Sequence, residues 1–127
     1  MNDDVRVIGD QAYDALIQGF QTGSWKSFFD LFGAEVDLIL PAPQTGHFTG
    51  PEGREKLVAF FSAFTPGTSR FDRVEVIHKT VAEDRVVIED WARGVAFNEP
   101  YAARHCIHIL VRDGKAVGFH EYNRSLD

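Results

Sequence analysis

Residues 105–123, HCIHILVRDGKAVGFHEYN, place three of the chain's five histidines and a glutamate on either side of a turn signal, Asp113-Gly114. A carboxyl group in apolar surroundings has its pKa raised, and an imidazole beside it can hold or pass the proton, so this composition suits general acid/base chemistry near neutral pH. Whether His105, His108, His120 and Glu121 act together depends on which of them share a face, because successive side chains of a strand alternate.

Two turn geometries give opposite registers. A two-residue turn pairs Arg112 with Lys115 and scatters apolar residues over both faces. A three-residue loop with Gly114 in a bulge pairs Val111 with Lys115 and gathers Ile107, Ile109, Val111, Val117 and Phe119 on one face, which makes it the preferred reading. It sets His105 opposite Glu121 and Ala103 opposite Asn123. With Asn98-Glu99 as the tip of the preceding hairpin, Ala92 lies opposite His105 and Asp90 lies diagonally beside it. One face then carries Asp90, His105, Glu121 and Asn123 among small and apolar residues. Asp90 would orient His105 or stabilise its charged form; equally, the three groups could be a satisfied polar network within a sheet.

The opposite face carries Glu89, Trp91, Arg93, Cys106, His108, Leu110, His120 and Tyr122. There His108 and His120 need only make hydrogen bonds. His105 and His108 differ by an odd step and cannot chelate one metal from a strand, so no metal site is expected. Cys106 is the only cysteine, which rules out an intrachain disulfide and reads as a buried structural thiol in a reducing compartment. His47 and Glu52 sit at a loop and a helix start, where an acid needs no function beyond the helix terminus itself.

The elements that position these groups follow from periodicity. Val5, Ile8, Ala12, Ala15, Leu16 and Phe20 predict an amphipathic helix over about 3–20, broken by Gly23. Ser24 is placed to cap a second helix with the stripe Trp25, Phe28, Phe29 and Phe32, ending near Gly33. AEVDLILPAP reads as a strand stopped by Pro41 and Pro43, and QTGHFTG as a loop or short hairpin. Gly50-Pro51 opens a third helix with Leu57, Val58, Phe60, Phe61 and Phe64 on its apolar face. From residue 69 the period changes to two, predicting four consecutive antiparallel strands with short connections. The result is one α+β domain spanning 1–127, with the helices on one face of the sheet.

The chain is 44% hydrophobic and 13% aromatic with eleven Phe, which is too apolar for disorder and favours a core or a greasy cavity. A net charge of −6 without basic clusters argues against nucleic acid or an anionic membrane as partner and favours a small hydrophobic molecule. The acidic first residues, MNDDVRVIGDQAY, read as no signal peptide, and a cytoplasmic location is expected. The helices can cover only one sheet face, so the other, convex face is expected to pack against a second copy in a homodimer.

The order of elements, together with GSWKSFFDLFGAEVDLILP, GPEGREKLVAFF and VRDGKAVGFHEYN, resembles the nuclear transport factor 2-like superfamily, specifically its SnoaL-like branch. That resemblance implies a cone: a curved, mixed, mainly antiparallel sheet with three N-terminal helices packed on its concave face and a pocket between them. Members include polyketide cyclases, ketosteroid isomerases, dehydratases, limonene-epoxide hydrolases and binding proteins, and the fold does not choose among them. The isomerases' general-base aspartate meets Leu40 here, and their first-helix tyrosine meets Leu16, one turn from Tyr13. The epoxide hydrolases' Arg-x-Asp meets Asp90 and Ala92, and their Tyr-x-Asn falls among Leu38, Ile39 and Leu40. The acid of the last strand is matched by Glu121, and the cyclases' histidine on the neighbouring strand by His105.

The expectation is therefore an acid/base enzyme of cyclase, isomerase or dehydratase type with Asp90, His105 and Glu121 as catalytic residues and no cofactor, since neither a dinucleotide glycine motif nor a metal set is present. Tyr13, Trp25, Leu38, Leu40, Phe60, Ala92, Ile107, Phe119 and Asn123 are the expected pocket residues. A non-catalytic module binding a hydrophobic ligand is the alternative.

Overall fold

The computed structural model describes residues 2–41 and 45–126. Pro41 directly follows the first strand, whereas Pro43 lies outside the described residues. Helix α1 runs over Asn2–Thr22 and ends where Gly23, at φ +78°, returns its N–H to the Gly19 carbonyl at 2.8 Å, the left-handed stop that glycine adopts without strain. Its buried side chains are Val5, Ala12, Tyr13, Ala15, Leu16 and Phe20.

Helix α2 is shorter than expected, Lys26–Asp30, and no side chain caps it; Trp25, not Ser24, holds the N-cap position. Phe32 belongs to strand β1, Phe32–Leu40, because the Leu31 carbonyl accepts the Ala116 N–H at 3.0 Å and so starts a ladder where another helical turn would otherwise form. The aromatic stripe survives this change, with Trp25, Phe28 and Phe32 all buried. Arg54 seals the junction by donating from Nη1 to the carbonyls of Phe29, Phe32 and Gly33 at 3.1–3.2 Å.

Strand β2, Gly46–Phe48, pairs antiparallel with β1 as the short hairpin, and α3 follows over Gly50–Ser62 with proline in its first turn. The remaining chain is β3 (Arg70–Val81), β4 (Arg85–Ala96), β5 (Glu99–Arg112) and β6 (Lys115–Ser125). All six strands form one sheet in the order β2-β1-β6-β5-β4-β3, antiparallel except for β1 beside β6. The architecture is α+β. Helix α1 lies across β3 to β6 and α3 lies on β1 and β2, while bulges in β3 and near the β5–β6 turn bend the strands.

Two registers differ from expectation. The Asp113-Gly114 connection is the two-residue turn, pairing Arg112 with Lys115, and both turn residues have positive φ, 52° and 74°. The bulge lies in β6 instead: Val111 pairs with Ala116 and Leu110 with Gly118, leaving Val117 as the extra residue. Beyond it Ile109 faces Phe119, Ile107 faces Glu121 and His105 faces Asn123, so Glu121 is not opposite His105 and Ala103 is opposite Ser125. Ala116 takes the buried place expected for Val117. The preceding hairpin turns at Phe97-Asn98, one residue earlier than expected, which sets Asp90 directly opposite His105 and Ala92 opposite Ala103. In the β4–β5 hairpin, and beyond the bulge in the β5–β6 hairpin, the pairs slide by two positions, so Asp90, His105, Ile107, Phe119 and Glu121 stay on the helix-covered face.

The close approach of α3 to β1 makes Gly53 obligatory, since a Cβ there would lie 1.7 Å from the Val36 carbonyl oxygen. Gly53→Ala is expected to lower stability by about 1–3 kcal/mol in urea denaturation, despite alanine's better helix propensity, because backbone must move. An unchanged midpoint would show that α3 can lift from the strand freely.

Candidate active site

Asp90 on β4 and His105 on β5 are cross-strand partners, and both side chains are buried. Tyr13 reaches down from α1 and donates its O–H to Asp90 Oδ2 at 2.5 Å. His105 Nδ1 lies 2.6 Å from Asp90 Oδ1, and Nε2 lies 2.6 Å from the Tyr101 hydroxyl. With the carboxylate accepting from Nδ1–H, a neutral imidazole accepts the Tyr101 proton at Nε2, and an imidazolium donates to the Tyr101 oxygen. The chain Tyr13, Asp90, His105, Tyr101 is thus continuous. Phe71 stacks on both the Tyr101 and His105 rings, which fixes their planes.

Glu121 on β6 is also buried, and its carboxyl joins the same cavity without a hydrogen bond to Asp90 or His105. Burial raises its pKa; the His105 charge and the Asn123 side chain pull it back only in part, and the Asp90 charge adds to the rise. Burial alone would lower the His105 pKa, but the Asp90 hydrogen bond and the charges of Glu121 and Asp90 outweigh it and raise the value. Burial first, then neighbouring carboxylates, push both the Tyr13 and Tyr101 phenols far above their ordinary range, so each remains a hydrogen-bond donor.

These groups border a cavity of about 270 Å³. Its polar end is Asp90, Tyr101, His105, Glu121 and Asn123; its walls are apolar, from Leu16, Ile17 and Phe20 of α1, Phe60 of α3, Phe64 just beyond it, Phe71, Phe97 and Ile107. Among the expected pocket residues, Phe60, Ile107 and Asn123 line this cavity with the three proposed catalytic groups. Tyr13 does not line it but hydrogen-bonds Asp90 from behind, and Leu40 borders an adjoining groove. Trp25, Leu38, Ala92 and Phe119 belong to the packed core; the Trp25 indole N–H donates to the Phe64 carbonyl at 3.0 Å.

Sequence reasoning missed Tyr101, Phe71 and Phe97. Tyr101 was legible in principle, since it stands an even step from His105 and an uninterrupted strand sends both to one side. Phe97 was hidden by the misplaced turn.

On the opposite face His47 and His120 both contact Asp37 Oδ1, at 2.9 and 2.7 Å, and Arg85 contacts His108 Nδ1 at 3.1 Å. Those histidines are remote from the cavity lining. Among the described residues no group of three or more His, Cys, Asp or Glu side chains is placed to hold a metal ion, and no helix is long and apolar enough to cross a membrane. Burial and the Glu89 charge push the Cys106 thiol up, away from the reactive thiolate.

Comparison with solved structures gives the same architecture. A nuclear transport factor 2-like protein from Anabaena variabilis is 24% identical over 97% of this chain and 91% of its own, with a TM-score of 0.85. A candidate isomerase from Bacillus subtilis matches at 14% identity over 93% and 87%, TM-score 0.72, and a candidate ketosteroid isomerase from Kribbella flavida at 13% over 98% and 81%, TM-score 0.70. No curated protein matches the chain. The SnoaL-like domain family matches residues 13–119, which cover the cavity and its polar end apart from Glu121 and Asn123, and the chain therefore belongs to the SnoaL-like family and shares its fold with the nuclear transport factor 2-like protein above.

Proposed function

We propose that this protein is a small-molecule enzyme of isomerase or cyclase type that moves a proton within a hydrophobic carbonyl compound, using only its own side chains. The observation that carries this reading is one buried carboxyl group, Glu121, and a separate chain of buried Asp90 and His105 with half-buried Tyr101 at the same end of an apolar cavity. Two titratable systems with different surroundings can divide the roles of base and acid.

Both Asp90 oxygens already accept hydrogen bonds, so Asp90 suits holding His105 in place, and Glu121 is left as the base. Ionised Glu121 takes a proton from the carbon beside the substrate carbonyl. The C–H electron pair moves toward the carbonyl oxygen, and Tyr101 O–H, backed by His105, stabilises the resulting enolate. Glu121 then returns the proton to another carbon of the same system. Burial makes the carboxylate a stronger base than it would be in water, and the apolar walls keep water from quenching the enolate.

The alternative is a binding module with the same cavity. It is favoured by the completeness of the polar network, in which no described buried side-chain nitrogen or oxygen lacks a partner. We further assign the sheet face away from the helices to a second copy, because it presents Trp91, Leu110 and the half-exposed Tyr122, with Arg73 and Arg93 at 5.5 and 5.2 Å from the Trp91 ring.

The test is exchange in heavy water with a panel of hydrophobic cyclic ketones, read by mass spectrometry. The wild type is expected to speed loss of the α-hydrogens, and Glu121→Gln to cut that rate by about 10²–10⁴-fold while still binding the ketone. Bound ketone with no exchange above buffer would favour the binding module. Stability supplies a second check. Because the folded pKa of Glu121 lies above its ordinary 4.5, the native state holds this proton longer than the unfolded chain, so its contribution is full below about 4.5 and is lost as pH rises through the folded value. The melting temperature of Glu121→Gln relative to wild type is expected to climb with pH from 4.5 upward; a constant difference would contradict the raised pKa. Light scattering should give twice the chain mass, reduced to one by Trp91→Glu.

A further inference from the structure

Beside the cavity lies a more open groove of about 350 Å³ that no part of the proposed chemistry uses. The two share Phe60, Phe64 and Phe97, so these rings form the partition between them. The groove's far side is Leu40, Phe48 and Lys56. Lys56 stands 5.5 Å over the Phe48 ring, and among the described residues no carboxylate pairs with it, although Glu52 lies one helical turn away. On a chain of net charge −6 this exposed lysine places a cation at the border of an apolar groove.

Phe97 is the second observation. It sits at the tip of the β4–β5 hairpin with φ 51°, a left-handed conformation that is unfavourable for a bulky residue and that glycine or asparagine would adopt more easily. Its ring is half-exposed and contacts Phe64 at 5.0 Å between centroids. The tip is held in place, since the Phe97 N–H donates to the buried Ser69 hydroxyl and the Asn98 N–H to the Thr68 carbonyl, both at 2.9 Å. A half-exposed aromatic ring thus stands at a left-handed turn over the junction of the two cavities, where its side chain and not its backbone preference accounts for its place.

We propose that cavity and groove are one bipartite site, and that it takes an elongated apolar carbonyl compound whose far end carries a negative charge. The carbonyl end enters the cavity toward Tyr101, the chain passes the three phenylalanines, and the anionic end meets Lys56. Charge sets this direction: Asp90 and Glu121 repel an anion from the inner end, while Lys56 attracts it at the outer one. Phe97 is the specificity-determining residue for chain passage and Lys56 for the charged end. This rests on the cavity being the small-molecule site proposed above, but it does not need that site to be catalytic.

The test uses dodecanoate and dodecanol as probes, with binding read by calorimetry on the full chain. Wild type is expected to bind dodecanoate about three- to fivefold more tightly than dodecanol, the worth of a solvent-screened ion pair, and the preference should shrink in high salt. Lys56→Gln should abolish the preference while leaving dodecanol affinity unchanged, and Lys56→Arg should keep it. Phe97→Gly should leave the melting temperature unchanged or raised, because glycine relieves the turn, yet speed ligand release severalfold. Equal affinity for the two probes, or a preference that survives Lys56→Gln, would overturn the assignment of the charged end. A Phe97→Gly variant that melts lower and releases ligand at the wild-type rate would overturn the partition. Binding preferences that persist in Glu121→Gln separate this outcome from any failure of the acid/base reading.

Discussion

The constraint on which the site depends is the burial of the Asp90 carboxylate in the middle of an apolar sheet face. A charge removed from water is costly, and it is tolerated here because Tyr13 and His105 each give it a hydrogen bond. That one group ties three elements together. Helix α1 must sit close enough over β4 for Tyr13 to reach, and β5 must be in the register that puts His105 directly across. The small residues of α1 allow the approach: at Gly9 a Cβ would lie 2.3 Å from the Val86 side chain. Once His105 is held, its free nitrogen fixes Tyr101, and the cavity gains a polar end made of pre-oriented groups.

Around this polar end the packing is aromatic to an unusual degree for so short a chain. Phe28, Phe61 and Phe119 are fully buried and meet edge to face, at centroid distances of 5.2, 5.4 and 5.8 Å. Phe20 stacks on Phe71, which in turn stacks on Tyr101, so a continuous line of rings connects the core to the hydrogen-bonded Asp90–His105–Tyr101 chain. Much of the cavity wall, including Leu16, Phe20, Phe60, Phe71 and Ile107, is therefore carried by the same helices and strands that hold the fold, with Phe64 and Phe97 added from the connections.

The fold was legible because its signals are local: the three- and four-residue steps of α1, the proline that opens α3, and the change to period two at residue 69. The faces of the strands were legible as well, though the registers were not. Asp113-Gly114 is a strong two-residue turn signal, and the run Ile107, Ile109, Phe119 demands an odd residue somewhere between the strands. The expected solution placed that residue in the turn; the chain keeps the tight turn and places it at Val117. The two solutions bury nearly the same apolar set, exchanging only Val117 for Ala116, so hydrophobic pattern favoured the wrong one by a single side chain. The same ambiguity hid Phe97, whose left-handed backbone breaks the preferences on which turn reading relies. The division of the pocket residues was invisible for another reason. Whether Phe119 or Phe60 borders empty space depends on how helices and sheet meet, and no spacing along the chain encodes that.

The pairing of β1 with β6 has a consequence for how the molecule comes into being. Residues 32–40 emerge early in synthesis, yet their long neighbour is residues 115–125, and until those emerge β1 has only the three-residue β2 beside it. Helix α1, although first in the chain, likewise lacks most of the surface it covers while β3 to β6 are unmade. Assembly thus depends on contacts between distant parts of the sequence, which slows folding and leaves the apolar face of α1 uncovered on the ribosome. The strand that completes this fold is also the one that brings Glu121, so the nascent chain acquires its buried acid only in the step that closes the sheet.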